Sequence, residues 1–168
     1  FVLPSNTFAG NHTLSALIND QNFLRGSSDD AEVLVMRETE ITVQWLGGFR
    51  NSTSPVSGYL RDVVGVGLSD YQIDIYFDDE YVGNATTGDS GIFAYDLFVD
   101  EDTELGTHSV DVIFEGSYLY LASEEQVDSD ILAQTFFVTE SLEVFRLQEF
   151  YLTSYLIDDL GNPMSNQA

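Results

Sequence analysis

The chain has 168 residues, the length of one large or two small domains, and its 43% hydrophobic and 13% aromatic content can build a core, which excludes a disordered acidic tail. It carries 29 Asp plus Glu against 5 Arg and no Lys, and this charge of −24 repels nucleic acid and disfavours an anionic membrane surface. There is no Cys, so disulfides, thiolate metal sites and thiol catalysis are excluded, and no apolar run approaches the roughly 18 residues of a membrane helix.

An acidic, lysine-free surface is a solvation strategy that suits high salt, where screening weakens self-repulsion. The partners compatible with it are cations, basic proteins and neutral glycans.

In chain order, the first pattern to recur is Ala9-Gly10-Asn11-His12-Thr13-Leu14-Ser15-Ala16. It returns about 96 residues later as Leu105-Gly106-Thr107-His108-Ser109-Val110-Asp111-Val112. Tyr59-Leu60-Arg61-Asp62-Val63-Val64-Gly65 likewise returns as Tyr155-Leu156-Ile157-Asp158-Asp159-Leu160-Gly161. A duplication at this period marks a repeat architecture, read as a window on a tandem array.

Between the repeated segments, period-two alternation dominates and no 3.6-residue stripe is present. Strands are expected at Ile41–Leu46, Val56–Arg61, Tyr71–Phe77, Tyr81–Thr86, Phe93–Val99, His108–Phe114 and Leu132–Thr139. Asp78-Asp79-Glu80 has the chemistry of a hairpin turn. Thr87-Gly88-Asp89-Ser90-Gly91 supplies positions for positive φ. Short strands at this spacing predict an all-β fold, an antiparallel Ig-like β-sandwich.

Aligning Ile41-Thr42-Val43 with Leu142-Glu143-Val144 and Phe49 with Phe150 sets a second offset of about 101, with the extra residues placed around Ser123–Asp130. On that alignment, residues 41–140 form one complete repeat. Residues 1–40 are the C-terminal part of a preceding repeat, and residues 141–168 are the N-terminal strands of the next. No Pro- or Gly-rich linker separates them, which favours a semi-rigid string.

An ordered series of motifs supports the same reading. It runs from Val56-Ser57-Gly58-Tyr59-Leu60-Arg61-Asp62 through Ile73–Gly83 and Thr86–Phe93 to Gly106-Thr107-His108-Ser109-Val110. This unit resembles the immunoglobulin-like repeats of large bacterial and archaeal cell-surface proteins, and its front half resembles prealbumin-like and peptidase-associated regulatory modules. The antibody-type Cys…Trp…Cys core is absent. The resemblance implies an extracellular or cell-surface, non-catalytic module, with any export signal upstream of these residues and no catalytic residues to carry over.

The candidate chemistry is sparse. His12 and His108 occupy equivalent repeat positions, each after a Gly at the start of a strand. That duplication points to a structural role, with a ring nitrogen bonded to nearby backbone. Without Cys, Lys or a further His, nucleophile schemes lack material. No catalytic, cofactor-binding or metal-ligating residue is therefore assigned, and the protein is expected not to be an enzyme. Calcium is the more serious ligand hypothesis, at the acidic turns Asp78-Asp79-Glu80, Asp100-Glu101-Asp102, Asp128 with Asp130, and Asp158-Asp159. None has the EF-hand spacing.

Sequons occur at Asn11-His12-Thr13, Asn51-Ser52-Thr53 and Asn84-Ala85-Thr86. Trp45 sits in phase with Ile41 and Val43, as core or inter-repeat packing.

The function expected is a structural or adhesive stalk segment of an exported surface protein; the alternative is a carbohydrate- or calcium-binding Ig-like module. Its partners are neighbouring repeats. Self-association by strand exchange between 1–40 and 141–168, as ring, filament or swapped dimer, is also expected.

Overall fold

The structure is a computed structural model that describes residues 2–4, 7–139 and 141–164; the domain limits at 1, 140 and 168 lie outside them. The alternation produces strands in chain order: β1 (Gly10–Ile18), β2 (Ser27–Val35), β3 (Thr39–Gln44), β4 (Gly48–Phe49), β5 (Ser52–Asp62), β6 (Gln72–Phe77), β7 (Glu80–Thr86), β8 (Ile92–Val99), β9 (Gly106–Phe114), β10 (Ser123–Leu132), β11 (Thr135–Thr139) and β12 (Ser154–Asp158). The one helical element among the described residues is a 3-10 turn at Asp89–Gly91.

Strands β3 to β10 form a β-sandwich. A sheet of order β3-β5-β8 packs on a sheet of order β4-β10-β9-β6-β7. All pairings are antiparallel except the short parallel match of β4 with β10, at Gly48 and Phe49. The fold is all-β and immunoglobulin-like, as expected. Inward residues fill the space between the sheets: Leu60, Ile73, Ile75, Phe93, Val110 and Val112 are at most 1% exposed. Each such burial contributes roughly 1.5–3 kcal/mol. Phe114 and Leu97 join this core, while His108 lies at its rim.

Side chains close the open corners of the sandwich, which blunts its edges. The Thr39 hydroxyl lies 2.8 Å from both the Leu121 carbonyl and the Ser123 hydroxyl, and ties β3 to β10. The Tyr95 hydroxyl donates to the Val82 carbonyl at 2.5 Å and ties β8 to β7.

Trp45 is buried at 3% exposure, with its ring edge-on to Phe77 at 6.0 Å. Its indole N–H donates to the Ser54 hydroxyl, which in turn donates to the Gly47 carbonyl. The residue is core, as expected, and it reaches the partner that a buried indole requires.

Two hairpins flank the sandwich, and both repeat part of it. Gly10 faces Val35 and Ile18 faces Ser27 in β1–β2; Gly106 faces Ile131 and Phe114 faces Ser123 in β9–β10, the same register shifted by 96. Thr39 faces Asp62 in β3–β5, and Thr135 faces Asp158 in β11–β12, again shifted by 96. The backbone agrees: φ is +131° at Gly10 and +128° at Gly106, and +85° at Gly65 and +80° at Gly161.

This register corrects the alignment made on sequence. Ile41 corresponds to Phe137, not Leu142, and no residues are inserted near Ser123–Asp130, because that stretch is strand β10 itself. The strand expected at Leu132–Thr139 is two elements, the end of β10 and then β11. Strand β11, which repeats the register of β3, thus begins at Thr135, inside the range 41–140 read from sequence. The shared apolar character of Val43 and Val144 imitated a match that the hydrogen-bond ladder does not make.

The hairpins expose the residues that the sandwich buries. Leu14 and Ile18 are 47% and 67% exposed, where the equivalent Val110 and Phe114 are 0% and 2%. Together β1, β2, β11 and β12 occupy the positions of β9, β10, β3 and β5, and among the described residues no strand takes the positions of β4, β6, β7 or β8.

Candidate functional site

The outward residues of the five-stranded sheet build an acidic face. Cross-strand neighbours place Asp74 beside Ile113 and Glu124, and Tyr76 beside Asp111 and Gln126. Tyr76, Asp111, Ile113, Glu124 and Gln126, with Asp79 and Glu125, line a shallow concavity of about 740 Å³. Asp111 lies at its floor, and its Oδ2 is buried without a hydrogen-bond partner. Burial pushes the Asp111 carboxyl above its usual range, and the charges of Asp79, Asp128, Glu124 and Asp78 push it further. This is a place where like charges crowd.

The carboxylates of the acidic turns hydrogen-bond locally. Among the described residues, no three His, Asp or Glu side chains converge in a way that could hold a metal. Instead their carboxylates serve the backbone and neighbouring side chains. Asp78 accepts from the Ser109 amide and contacts His108. Asp130 accepts from the Thr107 hydroxyl, and Asp100 from the Glu101 amide. Asp158 Oδ1 accepts from the Leu160 and Asn162 amides.

The two histidines adopt the same local bond. His12 Nε2 lies 2.7 Å from the Phe8 carbonyl, and His108 Nε2 lies 2.8 Å from the Glu104 carbonyl, four residues upstream in each case. This is the backbone bond expected from their duplication. His108 adds a contact that sequence reading missed: Nδ1 is 2.5 Å from Asp78 Oδ2, and its ring stacks on Phe77.

The other features that sequence reading missed are arginine contacts at the ends of the sandwich. Arg50 follows β4, and its guanidinium grips Asp159 with two bonds, Nη2 to Oδ1 at 2.7 Å and Nε to Oδ2 at 3.2 Å, with Asp158 at 4.0 Å. Both partners are about nine-tenths covered, so this bidentate pair is more than a solvated surface contact. At the other end, Arg37 pairs with Asp62 at 2.5 Å. Asp62 also accepts from the Val64 and Val66 amides, the same turn that Asp158 makes with Leu160 and Asn162. The hint in the sequence was scarcity: of only five arginines, two, Arg50 and Arg146, stand 96 residues apart.

The sequon asparagines Asn11, Asn51 and Asn84 are all exposed. Asn11 accepts from the Tyr118 hydroxyl, a further contact between the first hairpin and the sandwich.

No family model matches the chain, and no curated protein matches it. Among solved structures, it is similar to the CARDB domain of a Pyrococcus furiosus protein, determined in solution by NMR. The identity is 9%, the match covers 59% of this chain and 98% of that one, and the TM-score is 0.45.

Proposed function

We propose that the chain is a non-catalytic structural segment of an exported surface protein, a stalk or spacer built from Ig-like units that repeat every 96 residues. The observation that carries this reading is the identical strand register of β1–β2 with β9–β10 and of β11–β12 with β3–β5. A quasi-one-dimensional array needs each unit to contact only its neighbours. The short connections at Met36-Arg37-Glu38 and Ala133-Gln134 meet that need. An extracellular setting is part of this proposal and rests on the resemblance to surface-protein repeats.

The rival reading, a carbohydrate- or calcium-binding module, gains no support from a three-ligand metal cluster among the described residues or from an exposed tryptophan. Exchange between 1–40 and 141–168 of separate molecules would fill four of the eight strand positions of a sandwich.

Pulling the chain between its ends by force spectroscopy tests the stalk. The sandwich should unfold in one event that releases about 30 nm of chain, given roughly 3.3–3.6 Å per residue. A glycan array and a calcium titration followed by thermal shift should give no saturable response. Saturable binding of one glycan would overturn the spacer reading.

A further inference from the structure

The two outer faces of the sandwich differ in charge. On the five-stranded sheet, Asp74, Asp111, Glu124 and Asp128 share the outer face, and none of the five arginines joins them. On the three-stranded sheet, the inward set Val56, Leu60, Phe93 and Leu97 puts Tyr59 and Arg61 on the outside of β5, and Ile92, Asp96 and Phe98 on that of β8. The charges of this second face are Arg61 against Glu40 and Asp96. Its apolar residues are open to solvent: Phe98, Ile92 and Tyr59 are 58%, 48% and 39% exposed. The Arg61 guanidinium covers the Tyr59 ring, 4.4 Å from its centroid. Tyr59 and Ile92 are cross-strand partners, and beside them lies a hollow of about 320 Å³ that Thr42, Gln44 and Ser57 also line.

The same face recurs in the C-terminal hairpin, with less charge. Tyr59 returns as Tyr155, while Glu40, Thr42 and Arg61 become Phe136, Val138 and Ile157, which share one face of β11–β12. Phe136 and Tyr155 are about half exposed. The joints that carry Arg37–Asp62 and Arg50–Asp159 lie at the ends of the sandwich, so this stripe stays open along successive units. That recurrence rests on the reading of the chain as successive units; the face of the sandwich itself does not.

We propose that the outer face of β3-β5-β8 is a docking surface for a second copy of this chain, which packs on it face to face about a two-fold axis, so that arrays lie side by side. Charge selects both the face and the partner. Two chains of −24 repel each other, and the acidic sheet is the surface on which that repulsion is concentrated. The three-stranded face is close to neutral and carries its two signs at opposite ends. Asp96 faces Pro55, so it stands six residues from Arg61 along the strands, about 20 Å. A two-fold axis across the strands near Ser57 brings Arg61 of each copy to Asp96 of the other, the self-complementary pattern of an isologous contact. Three strands of the length of β8, 8 residues, present a patch of roughly 14 by 27 Å. That is smaller than the roughly 800 Å² per partner of a standard interface. A single unit therefore pairs weakly, and successive units along two arrays add their contacts through effective concentration.

Sedimentation equilibrium of the full chain in molar salt, which screens the −24 charge, should show a reversible dimer. Ile92→Asp and Phe98→Asp should each raise its dissociation constant by about tenfold or more, with circular dichroism unchanged. The absence of Cys lets one introduced thiol report the geometry. Ser57→Cys should be joined to its counterpart in the second copy by a short bismaleimide, and Gln126→Cys, on the acidic face, should not. A monomer at every concentration, or a dimer that both face variants leave unchanged, would overturn the proposal. So would association that only Leu14→Asp or Phe137→Asp abolishes, because the contact would then belong to the flanking hairpins. Each of those results leaves the stalk reading standing, since force unfolding tests it separately.

Discussion

The His108 imidazole lies between two acceptors, the Asp78 carboxylate at 2.5 Å from Nδ1 and the Glu104 carbonyl at 2.8 Å from Nε2. An imidazolium donates to both at once, whereas a neutral ring donates to one. Burial opposes the charge on His108, but the bonds to Asp78 and Glu104 outweigh it and raise the pKa above 6.5. A raised histidine stabilises the fold fully below 6.5 and loses that contribution as pH rises through the higher folded value. The melting temperature should therefore fall between pH 6 and pH 8.5, and His108→Gln should flatten that slope. His12→Gln, at a position with no carboxylate partner among the described residues, is the control. A slope that survives His108→Gln would refute the assignment.

Asp78 gives the acid side of the same pair. Burial raises its pKa, but the His108 bond and the Ser109 amide outweigh this and hold it below 3.8. Its contribution is present above 3.8 and is lost as pH falls through the lower folded value. Asp78→Asn should weaken both the alkaline slope assigned to His108 and the acid-side loss below pH 3.8, read by melts across pH 2.5 to 8.5.

Asp111 should behave in the opposite sense. Its carboxyl is pushed up by burial and by four neighbouring acids, so the ionised form carries a cost above the raised pKa that is relieved as pH falls. Asp111→Asn should stabilise the protein at pH 7 slightly, by up to about 0.5 kcal/mol in urea titrations, the usual span of a surface change. The gain should shrink in molar salt. A destabilised variant would mean that Oδ2 has a partner in solution.

Ser54 links Trp45 to the Gly47 carbonyl. Ser54→Ala leaves the buried indole N–H unpaired and should cost about 1–3 kcal/mol. Trp45 fluorescence during urea unfolding reads both the cost and any opening of the site, since this is the only Trp in the chain.

Asp62 is 1% exposed and accepts from Arg37 and from two backbone amides. Asp62→Ala strands all three donors and should cost about 3–5 kcal/mol, the range for breaking a buried pair. Arg37→Met should cost less, because Arg37 is one-fifth exposed and Asp62 keeps its amides. Equal losses in the two variants, measured by chemical denaturation, would contradict this ordering.

Strands with strong alternation were legible from sequence. Ile73 and Ile75 in β6, Phe93 and Leu97 in β8, and Val110 and Val112 in β9 declare one buried face, and all are buried. Strand β10 was not legible. Ser123–Leu132 is rich in acids because its outer face is solvated, and its inward residues include Ser129 beside Val127 and Ile131. The same acids, read as an insertion, shifted the alignment of the third unit by five residues. The joints were equally hidden. Arg50 and Asp159 are 109 residues apart, and no local pattern couples them.

The sequence by itself determined the all-β class, the inward and outward faces of the central strands, and the duplication that marks both histidines as structural. Those are local properties: period-two alternation and short repeated strings act over a few residues. Tertiary structure decided the register of the repeat, because cross-strand hydrogen bonds count residues where similarity only compares them. It also decided that Asp78 holds His108, that Asp111 is crowded by its own kind, and that Arg50 closes on Asp159. Each of those depends on which surfaces meet when the sheets pack, a distance that the chain order does not carry.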